Sequence, residues 1–298
     1  MKKDFTLRDP SNGGTFPFLS SPVGGATLRI HDDVAAGYNS DNGIIGRKNA
    51  VVCQQLNQRW VQRQKQEPLQ VVDLGVGDGA LLARLRDLGH PMTLTGLDIS
   101  PAMLALASQR LPLHTVLAPA EQAAAHLPAA HFDLVLVHFI LAYVPLETVL
   151  RQAHQILKPG GTLSLVTSTH AGTQALKAEN AHGFYRSRWP WYRAMGRAVD
   201  QAVAASHVPL DAPSLEQSVT AAGLEIERRT TLEDPVHFDD AAHAFQFMIT
   251  EGWGVNILGQ LGRMPMPLAR TCVRLGLQRY RYPLRWVHTT EIVDIRKP

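Results

Sequence analysis

Cysteine is scarce. Cys53 and Cys272 are the only two in 298 residues, and neither sits in a CxxC pair. That argues against a disulfide framework or a thiolate zinc site, so no metal is expected, and a reducing cytosol fits. Long apolar runs are missing too. No stretch reaches the roughly eighteen apolar residues of a spanning helix, and the two N-terminal lysines precede no apolar segment. The expectation is a cytoplasmic chain with no signal peptide and no membrane partner. Charge of one sign is equally thin: 29 basic and 26 acidic residues leave a net +3, with no run of five like charges. A nucleic-acid binder usually concentrates basic residues on one face, so no nucleic-acid partner is expected. Repeats and low-complexity segments are also lacking, and a homodimer stays open.

What is present is enough apolar residue, 45%, for a full core. Residues 1–30 are rich in Gly, Pro and Ser and read as an irregular arm. An amphipathic pattern from Gly43 to about Arg63 predicts a helix. Then strands and helices alternate. "LQVVDLG", "MTLTGLDIS", "HTVLAPA", "FDLVLVHF" and "GTLSLVTST" read as strands, and "ALLARLRDLG", "PAMLALASQR" and "ETVLRQAHQIL" as helices. That rhythm means right-handed βαβ units and a parallel sheet. After residue 170 it changes. Residues 171–210 look helical, "SLEQSVTAAG" is a helix, "LEIERRTTL" a strand, 235–283 a second helical insertion, and "RWVHTTEIVDI" a last strand.

The centre of the reading is "VVDLGVGDGALL", residues 71–82. Gly75, Gly77 and Gly79 alternate directly after an apolar strand. A side chain at Gly77 would fill the space a ligand needs, and the next helix offers free N–H groups. Asp98 ends the second strand, nineteen residues past Gly79. An acid there can accept both hydroxyl hydrogens of an adenosine ribose. NAD and S-adenosylmethionine share that ribose. Asp73, two residues before the first glycine, helps to separate them. A carboxylate repels a pyrophosphate but suits an ammonium or sulfonium.

Asp73-Leu-Gly-Val-Gly-Asp-Gly79, Leu97-Asp98-Ile-Ser, Phe132-Asp133-Leu-Val and Leu157-Lys-Pro-Gly-Gly-Thr-Leu163 resemble the ordered motifs of class I S-adenosylmethionine-dependent methyltransferases. The match covers about residues 68–168. The resemblance implies a Rossmann-like, doubly wound α/β sheet of seven strands with the last antiparallel, under a helical lid. It implies S-adenosylmethionine as cofactor, with Gly75, Gly77 and Gly79 against its methionine part and Asp73 supporting its amine. Asp98 holds the ribose, Ile99 and Met103 pack on the adenine, and Ala120 and Glu121 flank the adenine edge. Pro119 departs from the family, which often has an acid at that position. His138 falls where the family places residues beneath the methyl group, as a cofactor contact or general base. Tyr38 resembles a lid tyrosine, for catalysis or substrate contact, and Arg47 is a candidate for the cofactor carboxylate.

These readings divide the chain into an N-terminal arm and lid helix (1–66), a cofactor-binding core (67–170), a helical lid insertion (171–211), a core helix and strand (212–234), a second helical insertion (235–283) and a last core strand (284–298). A lidded pocket suits a small-molecule substrate. His182, Tyr185, Glu251 and Trp253 are the substrate-contact candidates from the insertions, while Arg186, Arg188 and Arg193 read as solvated. The general base stays unassigned among Tyr38, His138, His182 and Glu251. The function expected is a small-molecule methyltransferase of specialised metabolism. Two alternatives remain: an enzyme that consumes S-adenosylmethionine and releases methylthioadenosine, and a binding protein without turnover.

Overall fold

The structure is a computed structural model. It describes residues 43–61, 67–172, 206–250 and 265–298, with isolated positions at 35, 38, 40, 188, 190, 193, 196, 197, 201 and 204. Among these residues a seven-stranded sheet runs in the order β3-β2-β1-β4-β5-β7-β6. The strands are β1 Leu69–Leu74, β2 Met92–Asp98, β3 His114–Leu117, β4 Phe132–His138, β5 Leu157–Thr167, β6 Glu225–Phe238 and β7 Leu284–Arg296. The pairs among β1 to β5 are parallel, and β7 is antiparallel to both neighbours. The order reverses between β1 and β4. Open α/β sheets bind ligands outside the carboxyl ends of the strands at such a switch point.

Helices cover both faces. On one side lie α1 Gly43–Val61, α2 Ala80–Arg86 and α3 Pro101–Arg110, which pack Leu56, Leu82, Leu85 and Leu104 onto Leu134, Leu136 and Val166. On the other lie α4 Leu146–Ile156 and α5 Ala212–Ala221, which pack Val149, Leu150, Leu215 and Val219 onto Val135, Val137 and Leu165. Each such large apolar side chain contributes about 1.5–3 kcal/mol by leaving water. α3 begins as its sequence predicts: Pro101 stands in the first turn, and the Met103 N–H donates to Ser100 Oγ at 3.1 Å.

One element differs from expectation. β6 was expected to close near Leu232, with a helical insertion from residue 235; it runs on through Phe238. β5 pairs β7 only as far as Thr167 opposite Glu291, so residues 232–238 and 284–290 pair with each other beyond the sheet. This two-stranded ribbon rises at the carboxyl edge of β5. The chain then forms α6 Ala241–Thr250 and α7 Met266–Leu277 before returning into β7. The two helices are seated at both ends. Phe245, Met248, Ala269 and Val273 pack with Met103 of α3 and with Tyr38, while Ala244 and Phe247 pack with Ile44 of α1 and Phe238 of the ribbon.

Candidate functional site

The three glycines do different work. All have positive φ, where a side chain costs about 1–2 kcal/mol. A β-carbon on Gly75 would sit 2.4 Å from Ile140 Cγ2, in the turn after β4. One on Gly79 would sit 3.0 Å from Ala107 Cβ and from Leu111 Cδ2, so Gly79 lets α3 approach. On Gly77 the nearest such atom is Tyr38 Cε1 at 3.7 Å. Gly77 is therefore the position with room for a ligand, and Tyr38 lies over it. Gly77→Ala is expected to lower Tm by only a few degrees while abolishing the Tm rise given by S-adenosylhomocysteine. Gly79→Ala is expected to lose about 1–3 kcal/mol by overpacking and to keep the ligand shift. Thermal melts with and without ligand check both.

Asp98 is tied to this loop. Its Oδ2 accepts the Gly77 N–H at 2.9 Å and its Oδ1 accepts the Ser100 N–H at 2.9 Å. These two bonds fix the direction of the carboxylate, which has about four lone-pair sites in all. Asp78 pins the loop from the other side. Its carboxylate, 1% exposed, accepts from Ser40 N and Oγ, from Ala80 N and from Arg110 at 2.9 Å.

Two buried polar atoms test the fit to a cationic cofactor. Asp73 Oδ1, near the carboxyl end of strand β1 before the loop, has no hydrogen-bond partner among the described residues. Burial, then Asp98, then Asp78, push the Asp73 carboxyl well above the usual carboxylate range. An ammonium beside it would satisfy the oxygen and reverse the shift. His138 Nδ1 is also buried without a partner, while its Nε2 lies 3.1 Å from Ser164 Oγ on β5. Burial pushes the His138 imidazole down to about 3, so it is neutral at physiological pH. It suits a hydrogen bond to the cofactor better than general-base work. The next residue, Phe139, has φ 60, a left-handed turn that carries the chain under the loop to Ile140.

The family model described as a methyltransferase domain matches residues 72–165. Over those residues the chain is similar to the methyltransferase-domain family. That match indicates S-adenosylmethionine as the cofactor. The chain is 28% identical over 151 residues to tRNA 5-carboxymethoxyuridine methyltransferase of Escherichia coli (strain K12), which covers 46% of this chain and 56% of that protein. It is 27% identical over 146 residues to demethylmenaquinone methyltransferase of Listeria welshimeri, covering 47% and 61%. It thus spans less than two thirds of the curated relatives it matches. The N-methyltransferase NodS from Bradyrhizobium japonicum WM9, solved with S-adenosyl-L-homocysteine, superposes with a TM-score of 0.51 at 14% identity, over 92% of this chain and 99% of that one. At that identity the two share the fold.

The structure brings together Asp73, Gly77, Asp98 and His138 at the carboxyl edges of β1, β2 and β4, with Tyr38 above and Met103 beneath the α6–α7 cap. Pro119 opens a short 3-10 helix, Ala120–Gln122, at the end of β3, next to Asp98 through the Ala118 N–H bond to the Asp98 carbonyl. Burial raises the Glu121 carboxyl there. Ile99 is half-buried between Asp98 and the Ser100 cap. Arg47 points to a different partner from the one expected, Asp234 of the ribbon, at 3.0 Å. His182, Tyr185, Arg186, Glu251 and Trp253 lie outside the described residues, and Arg188 and Arg193 are exposed.

Sequence reasoning missed a polar cluster between α1, the ribbon and the end of β5. Lys48 of α1 is fully buried and bonded to Asp234. Asp234 pairs in register with His288, and His288 Nε2 lies 2.9 Å from Ser168 Oγ just beyond β5. The signal was present in the spacing. Lys48 lies four residues from Ile44 and from Val52, on the buried stripe of α1.

The raised Asp73 carboxyl predicts proton linkage. Its level in the free protein is high, and a bound ammonium lowers it. Cofactor affinity is therefore expected to fall as pH drops below the free-protein value, with a proton released on binding there. Calorimetry in buffers of different ionisation enthalpy reads that proton; Asp73→Asn is expected to abolish its release.

Proposed function

We propose that the chain is an S-adenosylmethionine-dependent methyltransferase that methylates a small organic acceptor inside a capped pocket, in the cytoplasm and in specialised metabolism. The observation that carries this reading is the α6–α7 cap. It reaches from Met103, on the adenine side, to the ribbon, on the acceptor side. A cap seated at both ends suits an enclosed acceptor. S-adenosylmethionine supplies a methyl group already activated by its sulfonium. The protein's residues then have to hold, align and dry the reactants. Asp98 and Gly77 fix the nucleoside, Asp73 and His138 take the polar methionine end, and Tyr38 covers the loop. Among the described residues no helix is long and apolar enough to cross a membrane.

A tRNA acceptor is the competing reading. The Escherichia coli relative is named for one. Arg270, Arg274, Arg279, Arg281 and Arg285 also stand in a stretch, 266–290, that holds no acid. The test is a host extract incubated with the protein and cofactor labelled in its methyl group. Label in the small-molecule fraction is the expected result. Label in RNA, with salt-sensitive RNA binding, would move the acceptor to nucleic acid.

A further inference from the structure

The ribbon carries a built polar cluster at the carboxyl end of β5. Ser168 is the first residue past β5 and is half-buried, with its hydroxyl 2.9 Å from His288 Nε2. The other ring nitrogen, Nδ1, lies 3.2 Å from Thr290 Oγ1, and Thr290 is fully buried. His288 is 2% exposed, and burial together with the Lys48 cation, against Asp234, pushes it down to about 3. A neutral imidazole donates from one nitrogen and accepts at the other. The buried Lys48–Asp234 pair lies beside the ring and holds the ribbon against α1. The neighbouring strand end carries His138, linked to Ser164 of β5. Ser168 thus stands one strand over from the methionine end of the cofactor site.

We propose that Ser168, oriented by His288, accepts a hydrogen bond from the acceptor's nucleophile, and that the acceptor is therefore an O–H or N–H compound. Ser168 donates its own hydrogen to His288 Nε2, and His288 donates from Nδ1 to Thr290. This polarity turns the Ser168 lone pairs into the site. It suits a site that holds a sulfonium, because an outward O–H would point its positive end at a cation. A hydrogen bond from the acceptor to Ser168 then turns the heteroatom lone pair toward the methyl carbon. As the new O–C or N–C bond forms, the methyl–sulfur bond breaks and the acceptor's proton passes to water; Ser168 takes neither the methyl group nor the proton. His288 is a positioning residue, as are Lys48 and Asp234. The inference rests on the methyl-transfer reading and names the acceptor class within it.

The test uses the whole protein with S-adenosylhomocysteine, and with phenol and its methyl ether anisole, which cannot donate from oxygen, as probes. Nitrogen-15 spectra of the imidazoles give the His288 tautomer. The expected result is a pyridine-type Nε2 and a protonated Nδ1. Wild type is expected to bind phenol at least fivefold more tightly than anisole. Ser168→Ala is expected to lose that preference at unchanged affinity for S-adenosylhomocysteine, and Ser168→Thr to retain it. A protonated Nε2, or no preference for phenol in wild type, would overturn the proposal. The tautomer is read on the protein whether or not it turns over, so this proposal and the methyl-transfer reading fail separately.

Discussion

Asp98→Ala is expected to weaken S-adenosylmethionine binding at least tenfold. The loss has two parts. The ribose loses charge-assisted hydrogen bonds, worth about 1.5–3 kcal/mol each. The Gly77 and Ser100 N–H groups also lose their acceptor, so the loop is no longer held for a ligand. Asp98→Asn separates the parts. Its amide oxygen can still accept one backbone N–H, but its charge is gone, and an intermediate affinity is expected. Calorimetric titration with S-adenosylhomocysteine checks both variants. A Kd for Asp98→Ala within twofold of wild type would remove Asp98 from the cofactor site.

Asp234→Ala is expected to destabilise the fold by about 3–5 kcal/mol, the usual result of removing one partner from a buried ion pair. Lys48 is fully buried on α1, and Asp234 is the carboxylate it bonds. Arg47, on the same carboxylate, is 56% exposed and should cost little by itself. The double variant Lys48→Met with Asp234→Leu removes both charges and is expected to recover most of the loss. Urea unfolding monitored by fluorescence measures it. Equal destabilisation by the single and double variants would mean that packing, not charge, sets the effect.

Such a pair is weak evidence for stability alone, since hydrophobic replacements are often as good. Here it has a geometric consequence. It fixes the ribbon against α1 on the side where His288 meets Ser168. It shares its helix with Asn49, whose amide donates to the Ser40 carbonyl, and Ser40 in turn donates to Asp78 of the glycine loop. This helix thereby links the glycine loop to the ribbon.

Local chemistry made the core legible in the sequence. The glycine loop, Asp73 and Asp98 are read from a strand, a turn and a spacing, and each is completed within one βαβ unit. Asp78 was not legible. An acid between two glycines looks like a solvated loop charge, and its partners Ser40 and Arg110 are 38 and 32 positions away. Lys48 was hidden by the rule that charge faces water, although it falls on the apolar stripe of its helix. The ribbon was hidden by Pro235, which argues against a central strand; it is tolerated because residues 232–238 pair on one side only, with β7. Around Gly79 the structure adds a packing role the sequence did not show, since a β-carbon there would meet Ala107 and Leu111. Arg47 looked like a ligand for the cofactor carboxylate, and a residue nearly two hundred positions later engages it.

The central claim is that this site directs methyl transfer. The most direct test is mass spectrometry of the purified protein with S-adenosylmethionine, first alone and then with host extract. S-adenosylhomocysteine formed only with extract is the predicted result. Methylthioadenosine formed without extract, above the spontaneous background, would contradict it and make the cofactor itself the substrate.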